Sequence, residues 1–331
     1  MPGQVRNMST TGVLLLGFGG PDSLDAVRPF MCNLMDREPS DELVAQVCKR
    51  YLAIGGVSPL PEIAANIAAG LEARFADKGK SAPVRVGMRY WHPFIEDAIA
   101  ELRALGCDRI VTVSLSPFES KAASGAYRDA IDGVVAMHPE LEFVESPLVS
   151  ELPAFAHYMA GSTASAITDL EPNEGAIVVF TAHSLPESDL QPDDPYVAGL
   201  ERVANSVAEQ LGLEPGAAGS GEGVLGDFRA FGSSAAPRAW FIAYQSKGQR
   251  PGRWLEPDLD ALIDAAAGAQ VEALVVVPLG FLTDHMETLY DLDIMAADRA
   301  LSAGLEWMRA PVANDAPAIL DGIADAVAEL L

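Results

Sequence analysis

A chain of 331 residues, 49% hydrophobic and 21% charged, holds enough apolar material for one large or two medium domains and is too apolar to be disordered. Its net charge of −25 argues against nucleic acid, and against an anionic membrane surface held by charge, and makes cations the natural counterpart of its surface. Its three cysteines, Cys32, Cys48 and Cys107, form no CxxC pair, so zinc and iron–sulfur ligation lack their usual spacing and buried thiols in a reducing compartment are expected. No apolar run approaches the roughly 18 residues of a membrane span, and the first residues lack the hydrophobic core of a signal peptide. The expectation is a cytoplasmic protein with no integral membrane association.

Residues 1–11 read as an unstructured start. Val13–Leu16 is an apolar strand breaking into Gly17, Phe18, Gly19, Gly20 and Pro21, and a helix follows over 24–35. Further helices are expected at 41–53 and 62–75, with the rigid turn Val57, Ser58, Pro59 between them. Strands at 84–88, 110–115 and 142–144 alternate with helices at 93–105 and 126–137. A long helix from about Pro153 to Leu170 crosses between halves. The alternation then restarts, with strands at 176–181, 239–244 and 272–277 and helices at 195–211, 258–267 and 284–300. Such alternation predicts two similar doubly wound α/β domains with parallel sheets, over 12–152 and 153–331. A cleft between them would collect the strand ends of both. Residues 212–238 read as a glycine-rich surface insertion. Its Gly221, Gly223 and Gly226 spell GxGxxG, but they follow a helix rather than a strand. The turn after Val13–Leu16 fails as a phosphate loop for another reason: the third glycine position is Asp22, an acid.

Two stretches carry the chemistry. AIVVFTAHSLP (176–186) places His183 near the end of a buried strand, where ligands bind in open α/β sheets. The alternative is a hydrogen-bonded structural histidine. VVVPLGFLTDHMETLYDLDIMA (275–296) is a buried strand running into a helix. Its Asp284, Glu287, Asp291, Met295 and Asp298 follow at spacings of three and four, one face at α-helical pitch. Carboxylates there suit a divalent cation or proton transfer. A solvated helix face is the plain alternative.

These motifs, in this order, resemble the ferrochelatase family, from about Val13 to the C-terminus. LLLGFGGP (14–21), IGGVSPL (54–60), TAHSLP (181–186), AYQSKGQRPGRWLEPD (243–258) and PLGFLTDHMETLYDLD (278–293) are similar to its successive motifs. The resemblance implies a chelatase-like fold that inserts ferrous iron (Fe2+) into a porphyrin. It implies His183 and Glu287 as catalytic and metal-site residues and Asp291 as an outer metal ligand. Phe18, Arg50, Tyr51, Ser58, Ser120 and Tyr127 are implied as porphyrin contacts. YWHPF (90–94) and YVAGLE (196–201) look closest to the actinobacterial branch, whose substrate is coproporphyrin III; protoporphyrin IX is the alternative. A non-catalytic porphyrin or haem carrier on the same fold is the alternative of another class. Three departures stand out. Phe18 replaces a Tyr that reaches iron in some relatives, Met295 replaces a further acid, and Ser124 replaces a cluster-ligating Cys. No permanently bound cofactor and no iron–sulfur cluster are therefore expected. The expected assembly is a monomer in transient contact with neighbouring haem-pathway enzymes.

Overall fold

The computed structural model describes residues 10–170, 175–216, 239–248, 250–269 and 271–331. The start at 1–9 and most of the glycine-rich stretch, with its GxGxxG, lie outside them. Two parallel sheets organise the chain. The first holds β1 (Thr10–Gly17), β2 (Val84–Met88), β3 (Cys107–Ser114) and β4 (Glu142–Glu145) in the order β2-β1-β3-β4. The second holds β5 (Ala176–His183), β6 (Glu214–Pro215), β7 (Ala239–Gln245), β8 (Ala273–Val277) and β9 (Glu306–Arg309) in the order β6-β7-β5-β8-β9. The start of the expected insertion is therefore an edge strand, with Glu214 and Pro215 paired to Ala239 and Trp240.

The central strands β1, β5 and β8 are near-continuous apolar runs because both their faces are covered. Val13 and Leu15 point one way, Leu14 and Leu16 the other. On β5, Val178 and Phe180 face the shared core, while Ile177 and Val179 face outward. The first outer layer is α4 (Ile95–Ala104) with α5 (Ala126–Met137). The second is α8 (Leu259–Gly268) with α9 (Ala297–Ser302).

The inner layer belongs to both halves. It consists of α3 (Leu60–Asp77), α6 (Pro153–Asp169), α7 (Pro195–Leu211) and the C-terminal α10 (Pro317–Ala328). Their apolar faces join one cluster reaching both sheets, from Val13 and Val111 to Phe180 and Val277. The division at residue 152 thus falls between the sheets, but the core does not divide there. Arg74 on α3 and Lys78 capping its C-terminal end pair with Asp321 and Asp325 on α10 at 2.6 and 2.5 Å. A separate small cluster unites α1 (Val27–Met35) and α2 (Asp41–Ala53) through Phe30, Met31, Tyr51 and Trp91, with Met286 packed against it. That pair of helices therefore touches the far half of the molecule beside its acidic segment. No helix among the described residues is long and apolar enough to cross a membrane.

Candidate active site

His183 ends β5 at the point where sheet order reverses, with β7 on one side and β8 on the other. A loop after β8 must lie tightly on this strand end for anything in 284–300 to reach it. Gly280 permits this. Its N–H donates to the Thr181 carbonyl at 2.9 Å, and a Cβ there would lie 2.6 Å from the Ala182 Cβ and 2.7 Å from its Cα.

The segment beyond departs from the expected α-helix. Residues Glu287–Ala296 form a π-helix that passes into α9. Its i→i+5 bonding takes more than four residues per turn, so positions 287, 291 and 295 come into line and 284 rotates away. Asp284 is consumed elsewhere. Its N–H donates to Asn314 Oδ1 at 2.7 Å, its Oδ1 accepts from Thr288 Oγ1 at 2.8 Å, and its Oδ2 accepts from Asn314 Nδ2 at 2.9 Å. Asp298 is exposed on α9. The expectation of a single carboxylate face from 284 to 298 is corrected accordingly.

The π segment aims Glu287 at His183, with Oε1 lying 3.4 Å from Nε2. The backbone of Glu287 is held from both sides: its N–H donates to His285 Nδ1 at 3.1 Å, and its carbonyl accepts from Gln245 Nε2 at 2.9 Å. His183 Nδ1 sits 2.5 Å from the Ser184 carbonyl, an acceptor only, so Nδ1 carries the hydrogen and Nε2 of the neutral ring offers a lone pair. Tyr196 on α7 donates its buried hydroxyl to the His183 carbonyl at 2.9 Å. Burial, and the charge of Glu287 after that of Tyr244, hold that phenol well above its ordinary range. A lone pair thus faces a carboxylate, an arrangement completed by a proton or a metal ion. Next to them, burial pulls the His285 imidazole down, and it accepts at Nδ1 as a neutral ring does.

Asp291 lies one turn further on. Ser246 Oγ donates to its Oδ2 at 2.6 Å, and Ser246 adopts a left-handed φ of 58° to do so. Arg50 of α2 approaches Oδ1 at 3.8 Å and caps the Tyr290 ring at 5.3 Å. Burial raises the Asp291 carboxyl above its ordinary range; the Ser246 hydrogen bond opposes this. Among the described residues no three His, Cys, Asp or Glu side chains form a metal cage, although the charges of Glu287 and His183 reach Asp291.

The remaining expected contacts divide. Tyr51 is buried, and desolvation first, then the charge of Glu287, raises its phenol. Phe18 is 40% exposed and meets the edges of Tyr90 and Phe30, at centroid distances of 4.7 and 6.4 Å. Ser58 is buried beneath the first glycine turn. Its N–H donates to the Pro21 carbonyl at 2.8 Å, and a Cβ on Gly20 would meet its Oγ at 2.3 Å. Ser120 is buried beyond the end of β3, its N–H bonded to Ser124 Oγ at 2.9 Å. Tyr127 is packed among Leu14, Ile95 and Ile131 with 2% of its surface exposed, and burial pushes its phenol up to about 12. The structure thus gathers His183, Glu287, Asp291, Arg50 and Tyr51, with Phe18 and Ser58 in the first glycine turn and the turn beneath it. It does not present Tyr127 on an open surface. Sequence reasoning missed Gln245 and Ser246, although the QS pair follows directly on a strand end. It also missed Tyr196, Asn314 and Arg309.

The doubly wound, two-sheet frame, with His183 at a strand end and Glu287 on the π-helix facing it, is similar to the fold of the chelatases. SirB from Bacillus subtilis with Fe3+ superimposes with a TM-score of 0.56 at 12% identity, over 97% of this chain and 95% of that one. CbiX, titled the terminal enzyme for biosynthesis of siroheme in denitrifying bacteria, gives 0.53 at 16% identity, over 97% and 99%. These likenesses speak to the fold. Residues 10–331 match the family model Ferrochelatase. Ferrochelatases of Synechococcus elongatus and Herpetosiphon aurantiacus are each 32% identical, covering 98% and 94% of this chain and 83% and 96% of their own. The chain belongs to the ferrochelatase family and is a porphyrin metal-insertion enzyme.

Proposed function

We propose that the chain inserts ferrous iron into coproporphyrin III, with His183 accepting the inner pyrrole protons and Glu287 receiving the metal. The observation behind this is the 3.4 Å approach of His183 Nε2 to Glu287 Oε1. A porphyrin must lose two N–H protons and pucker before a metal can enter its plane. A neutral imidazole with an outward lone pair suits the first task. A carboxylate beside it replaces water on the incoming cation and balances its charge. Peripheral contacts from the accessible Phe18 and Arg50, backed by the buried Tyr51 and Ser58, would hold the ring and supply the strain. Asp291 serves as an outer stop for the cation, exchanging Arg50 for metal. We include no iron–sulfur cluster; in support, Ser124 stands where cluster-bearing relatives have a Cys, and its hydroxyl bonds to the N–H and carbonyl of Ser120.

Coproporphyrin III carries more carboxylates than protoporphyrin IX. The half-exposed Arg50 guanidinium, together with the resemblance of YWHPF and YVAGLE to the coproporphyrin-using branch, supports the former. The test is one iron-insertion assay on both porphyrins. A higher kcat/KM for coproporphyrin III is expected. An equal or higher value for protoporphyrin IX would refute the specificity and leave the chelatase activity standing.

A further inference from the structure

Glu287 projects from a ten-residue π-helix, and such segments are rare beyond a single turn. Something outside the helix has to hold it wide. The last residue of β9 lies against it. Arg309 Nε and Nη2 donate to the two carboxylate oxygens of Asp293 at 2.5 and 3.0 Å. Its Nη1 reaches Asp284 Oδ1 at 3.3 Å as an ion pair, off the hydrogen-bond direction. The Arg309 side chain is 14% exposed and that of Asp284 18%, so water screens these charges weakly. Asp284 precedes the π segment and Asp293 lies past its middle; Glu287 stands between them. One planar guanidinium therefore fixes the span across which the wide turn is wound. Asn314 and Thr288 fasten the near end to the same point.

We propose that Arg309 is a positioning residue for Glu287, holding the π segment so that the carboxylate meets His183. The inference rests on the functional reading of that pair. Without the guanidinium, Asp284 keeps its hydrogen bonds from Thr288 and Asn314, but the partly buried Asp284 and the more exposed Asp293 lose their shared counter-charge and repel. The segment then relaxes, and Glu287 loses its place. Misplacement of a reacting group by about 1 Å costs on the order of 100-fold in rate. Arg309 reaches only Asp284 and Asp293 among the carboxylates of the segment, not the His183–Glu287 pair, so on this reading substrate binding is spared. Lysine keeps the charge but not the bidentate fork, and falls between.

The experiment compares wild type, Arg309→Met, Arg309→Lys and, as control, Arg299→Met on α9, which removes exposed pairs with Asp260 and Asp264 of α8. Thermal melting, porphyrin affinity by fluorescence quenching, and kcat and KM for iron insertion are measured on each. Arg309→Met is expected to lose about 10–100-fold in kcat, with porphyrin affinity unchanged within about two-fold. Arg309→Lys is expected between the two, and Arg299→Met at the wild-type rate. A folded Arg309→Met with wild-type kcat overturns the proposal, as does porphyrin affinity falling in step with kcat. If Arg309→Met does not fold, Arg309→Lys decides. Reduced kcat at unchanged porphyrin KM supports the role, and wild-type kcat refutes it. A wild-type protein that bound porphyrin but inserted no iron would overturn the reading of the site itself, and the inference with it.

Discussion

A Cβ on Gly280 would sit 2.7 Å from the Cα of Ala182, closer than any real side chain approaches a backbone. The loop after β8 is thereby pressed onto the strand end that carries His183, and the two halves of the site meet. Gly280→Ala forces the loop outward by roughly the missing 0.5–1 Å. Overpacking of this kind costs about 1–3 kcal/mol. We expect a melting temperature lower by several degrees and a larger proportional loss of iron-insertion rate, because the displaced loop leads into Glu287. A steady-state assay with a melting curve checks both; an unchanged rate would disconnect the contact from the site.

Asp291 is a buried carboxyl whose folded-state pKa lies above its ordinary value, first through desolvation. A raised carboxyl pKa stabilises the fold only at acid pH, and the contribution is lost as pH rises through that raised value. At neutral pH the ionised group is therefore a burden. Asp291→Asn keeps an acceptor for Ser246 and removes the charge. We expect the melting temperature at pH 7 to rise by about 1–3 °C, a gain that vanishes as the pH is lowered. The same variant should raise the iron concentration needed for half-maximal rate. Unchanged iron dependence would remove Asp291 from the path of the metal.

The C-terminal helix ties the two halves through its apolar face rather than its charges. Ile323 is 2% exposed within the shared core. Its truncation to Ala is expected to cost about 2–5 kcal/mol. Lys78→Met, which breaks a pair whose side chains are 39% and 69% exposed, should cost at most about 1 kcal/mol. Denaturant melts of the two variants give the comparison, and equal costs would mean the ion pairs carry the docking.

Much of this was legible in the sequence. Strands such as VLLL and IVVF read clearly because two buried faces demand unbroken apolar runs. The meeting of His183 and Glu287 followed from motif resemblance, since nothing in their separation of 104 residues dictates contact. The pitch of 284–300 was misread. Carboxylates at 284, 287 and 291 fit an α-helical face, and no local signal announces a π-helix whose Asp293 and flanking Asp284 are bonded by Arg309 and Asn314 from beyond the segment. β9 and α10 escaped notice for simpler reasons. EWMR is short and charged at both ends, and the residues before α10 form a proline-broken loop without a side-chain cap. Tyr127 occupies a position likened to a porphyrin contact, yet its ring completes the packing of the first sheet, a fact visible only once α4 and α5 are in place.

The central claim is that the imidazole of His183 takes protons from the porphyrin that the cleft holds. His183→Ala, assayed for porphyrin binding by fluorescence quenching and for ferrous iron insertion under anaerobic conditions, tests it most directly. Loss of a general base costs about 10²–10⁴-fold. The expected result is porphyrin affinity near that of the wild type with insertion slowed at least that much; a folded variant inserting iron at a near-normal rate would contradict it.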